Sequence, residues 1–227
     1  MTDAVTEFAA RRNDILKRID AAAKAANRSA REITLVGVSK KQPEDRIDAA
    51  LASGQRIFGE NRVQEAEARW LPRRAAYPDL ELRLIGPLQT NKAEQAVSLF
   101  DVIESLDRLK LAAALRKAMD RTGRCPRLYV QVNTGEEDQK AGIAPGDLAG
   151  FLDTLRTDHD FRIDGLMCIP PVEEPAGPHF ALLADLAAAN NLPGLSMGMS
   201  GDYETAIKFG ATSIRVGSAL FGNRPDA

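Results

Sequence analysis

Short apolar runs alternate along this chain with longer stretches in which apolar residues recur at helical spacing. The first run, residues 33–39, is apolar and β-branched, which is typical of a buried parallel strand. Before it, apolar positions such as Phe8, Leu16, Ile19 and Ala23 follow a helical period. The pattern therefore predicts an amphipathic N-terminal helix that precedes the first strand.

Continued along the chain, the pattern predicts eight strands at residues 33–39, 56–59, 82–86, 102–105, 127–133, 164–169, 194–198 and 213–216. Helical spacing fills the intervals, at residues 44–53, 62–76, 92–99, 107–122, 145–157, 179–190 and 202–209. Strands that alternate with crossover helices in this way indicate an α/β fold, a single (β/α)8 TIM barrel. An open doubly wound sheet fits less well, because no glycine-rich dinucleotide turn follows the first strand. No linker composition divides the chain, so we expect one domain over residues 1–227.

Composition narrows the functional classes. A hydrophobic share of 44% and a charged share of 27% exclude the disordered and membrane classes. The net charge of −2 is spread without a basic stripe, so no nucleic-acid partner is expected. The first residues carry acids where a secretory signal would carry bases, which favours a cytoplasmic protein. Cys125 and Cys168 form no CxxC pair, so we expect two packing residues and neither a disulfide nor a metal site.

Lys40 directly follows the first predicted strand. The carboxyl ends of barrel strands carry the chemistry of this fold, so Lys40 is a candidate active-site amine. An ammonium that is partly desolvated there loses proton affinity, and the neutral amine can attack an aldehyde to form a Schiff base. A solvated surface lysine is the commoner alternative, and residues near the other end of the chain argue against it.

The loops after the seventh and eighth predicted strands resemble the phosphate site that many TIM barrels place there. Ser200 can donate its hydroxyl, and the amides of Gly217 and Ser218 open a short terminal turn that favours an anion. An alternative of equal weight is that Ser200 only caps the helix that follows it. Asp202 in the same first turn would repel a phosphate unless its side chain points away.

Barrel closure pairs the eighth strand with the first, so Lys40 and the phosphate site should become neighbours. An aldehyde phosphate satisfies both, and pyridoxal 5'-phosphate (PLP) is such a ligand. Arg215 faces the barrel interior if Gly217 does, because residues two apart share a strand face. A permanently charged guanidinium opposite the pyridine nitrogen would keep that nitrogen unprotonated and make the cofactor a poor electron sink.

Several ordered motifs together carry a family resemblance, at residues 36–40 (VGVSK), 58–65 (FGENRVQE), 85–92 (IGPLQTNK), 132–133 with 140–143 (VN, KAGI), 165–167 (GLM), 195–200 (LSMGMS) and 214–222 (IRVGSALFG). On these motifs the chain resembles the pyridoxal phosphate homeostasis proteins, the YggS/PROSC family, which are similar to the barrel domain of alanine racemase. The resemblance implies a PLP site made of Lys40, Asn61, Met197, Ser200, Arg215, Gly217 and Ser218. Departures are small: Lys41-Gln42 stands where the family often has Thr-Lys, and Gly201 where an acid is common.

The resemblance also implies a role. It is that of a non-catalytic protein that holds PLP as a Schiff base on Lys40, takes part in PLP homeostasis and delivers the cofactor to apo-enzymes. We expect this protein to be a monomer. A small amino-acid racemase is the first alternative, but the second base of alanine racemase is a tyrosine from an additional domain, for which the chain leaves no room. Of Tyr77, Tyr129 and Tyr203, only Tyr203 comes near such a position. A barrel isomerase that binds a sugar aldehyde on Lys40 is the second alternative.

Lys140 is a further amine that follows a predicted strand. An ion pair with the acids of its own loop is the simpler interpretation. The other hypothesis is that Lys140 accepts the aldehyde as a secondary site during transfer.

Overall fold

Eight parallel strands close into a barrel in the computed structural model, which describes residues 3–137 and 139–222. Each strand pairs with its neighbour in chain order, and the eighth pairs with the first. The strands are β1 Thr34–Val38, β2 Ile57–Glu60, β3 Glu81–Leu84, β4 Val102–Leu106, β5 Arg127–Gln131, β6 Ile163–Met167, β7 Gly194–Ser196 and β8 Ser213–Val216. The predicted (β/α)8 barrel is therefore confirmed, with shifts of a few residues at strand ends.

The helices alternate with the strands and surround the barrel. They are α1 Asp3–Ala25, α2 Glu44–Ala52, α3 Val63–Arg74, α4 Ala93–Leu99, α5 Leu109–Thr122, α6 Leu148–His159, α7 Ala176–Ala189, α8 Tyr203–Lys208 and α9 Ser218–Phe221. Helix α6 ends where Asp160 adopts a left-handed conformation with φ of 49°. Among the helices of the described ranges, none combines the length and the apolar character needed to cross a membrane.

The N-terminal helix α1 extends the core beyond the barrel. Phe8, Ile15 and Ile19 lie on one face of this helix and are buried, and the ring of Phe8 packs against that of Phe221 at 5.2 Å between centroids. Each such side chain contributes about 1.5–3 kcal/mol when it is fully buried. The extra helix thus anchors α9, the turn that leads away from β8.

The two cysteines differ. Cys168 is buried, as expected of a packing residue, and burial raises the pKa of its thiol to about 12. Cys125 is exposed, so the expectation that it serves as a packing residue was wrong. It lies in the loop that leads into β5, where the chain returns to solvent after α5.

The barrel interior is unusually polar. Inward positions of TIM barrels are dominated by branched aliphatic residues. Here a buried set of polar side chains occupies much of that space: Arg83, Glu104, Ser196, Ser213 and Arg215. We call this set the interior polar network, and its upper end reaches the candidate site.

Candidate ligand-binding site

A cavity of about 720 Å³ opens at the carboxyl end of the barrel. Volumes of this size are typical of sites for small ligands. Its lining residues are Val38, Lys40, Gln42, Asn61, Ile85, Ile169, Met199, Ser200, Gly201, Arg215, Gly217 and Ser218. Six of the seven predicted site residues therefore line one cavity, although they come from loops and strands at both ends of the chain.

Met197 is the exception. Its side chain is fully buried in the hydrophobic core, and it is not among the residues that line the cavity. The intervening Gly198 has φ of 92°, a left-handed conformation that glycine adopts without strain. The chain turns at this glycine, and Met199 reaches the cavity instead.

Lys40 sits in a tight turn between β1 and α2. The amide of Gln42 donates to the carbonyl of Ser39 at 3.1 Å, which closes a four-residue turn around Lys40 and Lys41. Lys41 has φ of 57°, a left-handed conformation that is uncommon for residues other than glycine. Lys40, the predicted active-site amine, thus lies in a turn whose third residue, Lys41, is strained.

Ser200 and Gly217 meet at the wall of the same cavity. The amide of Gly217 donates to Ser200 Oγ at 3.2 Å. Helix α8 begins only at Tyr203 and its N-cap is Asp202, so Ser200 does not cap it. The capping alternative for Ser200 is therefore wrong, and its hydroxyl lies beside the start of α9.

The carboxylate of Asp202 is bound within its own turn. Asp202 Oδ1 accepts a hydrogen bond from the amide of Met199 at 2.5 Å, and Asp202 is not among the lining residues. The side chain that would repel a phosphate is therefore occupied elsewhere.

Arg215 enters the cavity from β8 and is anchored below it. Its Nη1 donates to Ser196 Oγ at 2.6 Å and its Nη2 to the carbonyl of Cys168 at 2.7 Å. Ser196 Oγ in turn donates to Glu104 Oε2 at 2.6 Å. Charge-assisted hydrogen bonds of this length are strong, so the guanidinium has a fixed position.

The interior polar network continues toward the amino end of the barrel. Arg83 Nη1 donates to Glu104 Oε1 at 3.2 Å and to Ser213 Oγ at 3.0 Å, and Arg83 Nε donates to Glu81 Oε1 at 2.6 Å. Burial alone would lower the pKa of Arg83, but Glu104 and Glu81 hold it above its ordinary value. Two buried guanidiniums are thus balanced by two carboxylates.

This network was not predicted from the sequence, although the sequence contains a signal for it. Arg83 lies in the third predicted strand and Glu104 in the fourth, and both runs are otherwise apolar. A charge inside a buried strand needs a partner, so opposite charges on neighbouring strands point to a buried pair. The pairing itself depends on which strand face turns inward.

Asn61 lies just beyond β2 and lines the cavity. Its Oδ1 is buried and has no hydrogen-bond partner among the described residues. A buried acceptor without a partner costs free energy unless a ligand or water satisfies it. Together with Lys40, Arg215 and the amides at Gly217 and Ser218, it forms a polar lining that suits a small anionic ligand.

Lys140 lies outside this cavity. Its Nζ forms an ion pair with the carboxylate of Glu137, the simpler of the two interpretations of this residue. Its role as a secondary acceptor of aldehydes stays a prediction.

Comparison with known proteins decides the family. The family described as alanine racemase, N-terminal domain, matches residues 15–225. The pyridoxal phosphate homeostasis protein of Pseudomonas aeruginosa is 42% identical over 219 residues, which cover 92% of this chain and 93% of that protein. This chain belongs to the pyridoxal phosphate homeostasis protein family. The family member of Escherichia coli K12 is 37% identical over 91% of this chain and 92% of its own.

Solved structures agree with this family assignment. PipY of Synechococcus elongatus, solved without PLP, has 42% identity and a TM-score of 0.79 over 84% of this chain and 93% of its own. The same protein has also been solved with PLP bound, and that structure gives a TM-score of 0.75. Alanine racemase of Clostridium difficile has a TM-score of 0.68 at 13% identity, covering 94% of this chain and 57% of its own. That likeness shows the shared barrel fold alone. The resemblance found from sequence motifs is thus confirmed.

Proposed function

We propose that this protein binds PLP as a reversible Schiff base on Lys40 and takes part in intracellular PLP homeostasis. The observation that carries the proposal is the single cavity that brings Lys40 together with Arg215 and the start of α9. PipY, a relative at 42% identity, has been solved with PLP bound. Bound PLP supplies an aldehyde carbon and a conjugated ring that accepts electrons.

Each part of the ligand has a partner in the proposed site. Ser200 and the amides of Gly217 and Ser218 would hold the phosphate. The Gly217 amide donates to Ser200 Oγ at 3.2 Å, and a phosphate oxygen would replace Ser200 as its acceptor. Arg215 would face the pyridine nitrogen, and its fixed positive charge would keep that nitrogen unprotonated. Asn61 offers its unpartnered Oδ1 to a donor on the ligand or its shell of water. Met197 is buried in the core, so its effect on the ligand would pass through the residues that line the cavity.

The cavity favours a carrier over a racemase. A racemase needs a second base, and within the described ranges no tyrosine lines the cavity. Tyr203, the nearest candidate from sequence, is 1% exposed and buried in the core. Tyr129 is buried in the barrel interior, and Tyr77 packs under the guanidinium of Arg56. We therefore propose no catalytic residues for this protein.

The proposal extends to partners and location. We propose a monomeric, cytoplasmic protein whose whole chain acts as one PLP-binding domain, with no nucleic-acid or membrane partner. Apo forms of PLP-dependent enzymes are the proposed recipients of the cofactor.

A visible spectrum of the purified protein with added PLP tests the binding proposal. We expect an absorbance band that collapses on borohydride reduction and a reduced adduct that maps to Lys40. The Lys40→Ala variant is the control and should show neither. A label spread over many surface lysines would contradict the proposal, whereas turnover of a chiral amino acid lost in Lys40→Ala would favour the racemase.

A further inference from the structure

One guanidinium bridges both ends of the turn that carries Lys40. Arg69, in the middle of α3, donates from Nη1 to the carbonyl of Ser39 at 2.8 Å. Its Nη2 donates to the carbonyl of Gln42 at 2.9 Å. Ser39 and Gln42 are the first and last residues of this turn. The planar fork of arginine is the side chain best suited to hold two such acceptors at once.

Arg69 is itself fixed by two carboxylates. Its Nη1 donates to Glu60 Oε1 at 3.0 Å and its Nε to Glu44 Oε1 at 3.0 Å. Glu60 is fully buried, and the same oxygen accepts from Ser39 Oγ at 2.6 Å and Trp70 Nε1 at 3.0 Å. The turn is therefore tied to the end of β2 through both Arg69 and Ser39.

The turn requires such support because it is strained. The left-handed conformation of Lys41 costs roughly 1–2 kcal/mol for a residue with a Cβ atom. Strained positions persist where the surrounding contacts determine the backbone more strongly than the local preference does. The two hydrogen bonds from Arg69 lie on either side of Lys41 and supply that constraint.

We propose that Arg69 is a positioning residue for Lys40, which holds the turn in the conformation that presents the amine to the cavity. Arg69 does not line the cavity and lies outside the sequence motifs that predicted the site. The inference rests on the proposed function, because Lys40 is the amine that captures the PLP aldehyde. If Arg69 only attached α3 to the barrel, its loss would lower stability without a selective effect on the turn.

The chain offers a matched control for this distinction. Arg73 lies one helical turn further along α3 and pairs with Glu44 at 2.8 Å and Asp48 at 2.7 Å. The Arg73→Met variant removes a comparable guanidinium and its ion pairs from the same helix, and leaves both carbonyl contacts of the turn in place.

The first measurement needs no ligand. Hydrogen exchange of the Gln42 amide, which donates to Ser39, reports whether the turn is closed. We expect Arg69→Met to accelerate exchange of the Gln42 amide roughly tenfold more than its loss of global stability accounts for. In Arg73→Met, we expect the loss of global stability to account for the whole change in the exchange rate. Equal acceleration in both variants would overturn the proposal, since it would show only a general attachment of α3.

The second measurement is PLP binding, followed by the visible band and by trapping with borohydride. We expect the Kd of Arg69→Met to rise roughly tenfold, about the loss of one charge-assisted hydrogen bond, with less of the trapped label on Lys40. Arg69→Lys should fall between wild type and Arg69→Met, because a point charge cannot bridge both carbonyls. If Arg69→Met does not fold, Arg69→Lys is used in its place in both measurements.

The two measurements separate the inference from the proposed function. Absence of PLP binding in the wild type would contradict the proposed function, while faster exchange in Arg69→Met would still show that Arg69 holds the turn. Wild-type binding with an unchanged Kd in Arg69→Met would overturn the positioning role.

Discussion

Lys40 and Arg215 line the same cavity, yet different parts of the fold hold them. Lys40 lies on a turn outside the barrel and depends on Arg69, which is paired with the exposed Glu44 as well as with the buried Glu60. Arg215 lies on a strand and depends on the interior polar network, where every partner is buried. Changes on the Lys40 side should therefore affect ligand capture more than stability, whereas changes on the Arg215 side should affect both.

Neutralising one buried carboxylate on each side gives the largest expected difference. Glu104→Gln leaves two buried guanidiniums with Glu81 as their remaining acid. We expect a loss of about 3–5 kcal/mol in the free energy of unfolding, as for a broken buried ion pair. Glu60→Gln should cost only about 1–3 kcal/mol, because Arg69 keeps its pair with Glu44. Urea unfolding of both variants measures this, and equal losses would remove the distinction.

Two serines inside the barrel separate a ligand effect from a stability effect. Ser196 accepts a hydrogen bond from Arg215, whereas Ser213 accepts one from Arg83. Each serine-to-alanine change should cost about 1–3 kcal/mol of stability, because a buried donor loses its acceptor. Only Ser196→Ala should weaken PLP binding, by roughly tenfold. Titration with PLP checks this, and a similar loss in Ser213→Ala would mean that Arg215 needs the whole network.

A glycine at position 41 relieves the backbone strain at Lys41 and so tests the turn that carries Lys40 without changing the Arg215 side. Glycine adopts a φ of 57° freely, but it also loses more conformational entropy on folding. The expected net change in Lys41→Gly is a gain of up to about 1 kcal/mol, measured by thermal unfolding without PLP. Lys41→Ala removes the same charge and keeps the strain, so it serves as the control. A Lys41→Gly variant that is less stable than Lys41→Ala would show that the turn is not strained, because the entropic cost of glycine would then act unopposed.

The smallest expected effect concerns the thiol below Arg215. Burial raises the pKa of Cys168 to about 12, although Arg215 acts in the opposite direction. The folded state then holds this proton more tightly than the unfolded state, so this thiol makes stability fall as pH rises from about 9 toward 12.

Alkylation tests the burial that causes this pKa shift. Near pH 8, iodoacetamide should label the exposed Cys125 and leave Cys168 unlabelled. Rapid labelling of Cys168 in the native protein would show that water reaches the Arg215 side of the cavity.

Much of the site was predictable because it lies at strand ends. Lys40, Ser200 and Gly217 each follow a predicted strand, and parallel strands in a closed barrel bring their carboxyl ends to one face. The displacement of Met197 by Met199 was not predictable, because it depends on the backbone angle of Gly198. Whether Ser200 caps a helix likewise depended on where α8 begins.

The sequence by itself determined the order of strands and helices, the closed barrel and the family, since hydrophobic periodicity and local motifs are properties of neighbouring residues. Only the tertiary structure decided that Arg69 bridges the Lys40 turn and that Glu104 supports Arg215 through Ser196. These contacts join residues from different strands and helices. Which partner a charged side chain meets depends on strand register, helix rotation and burial, all of which the packing of the whole barrel fixes together.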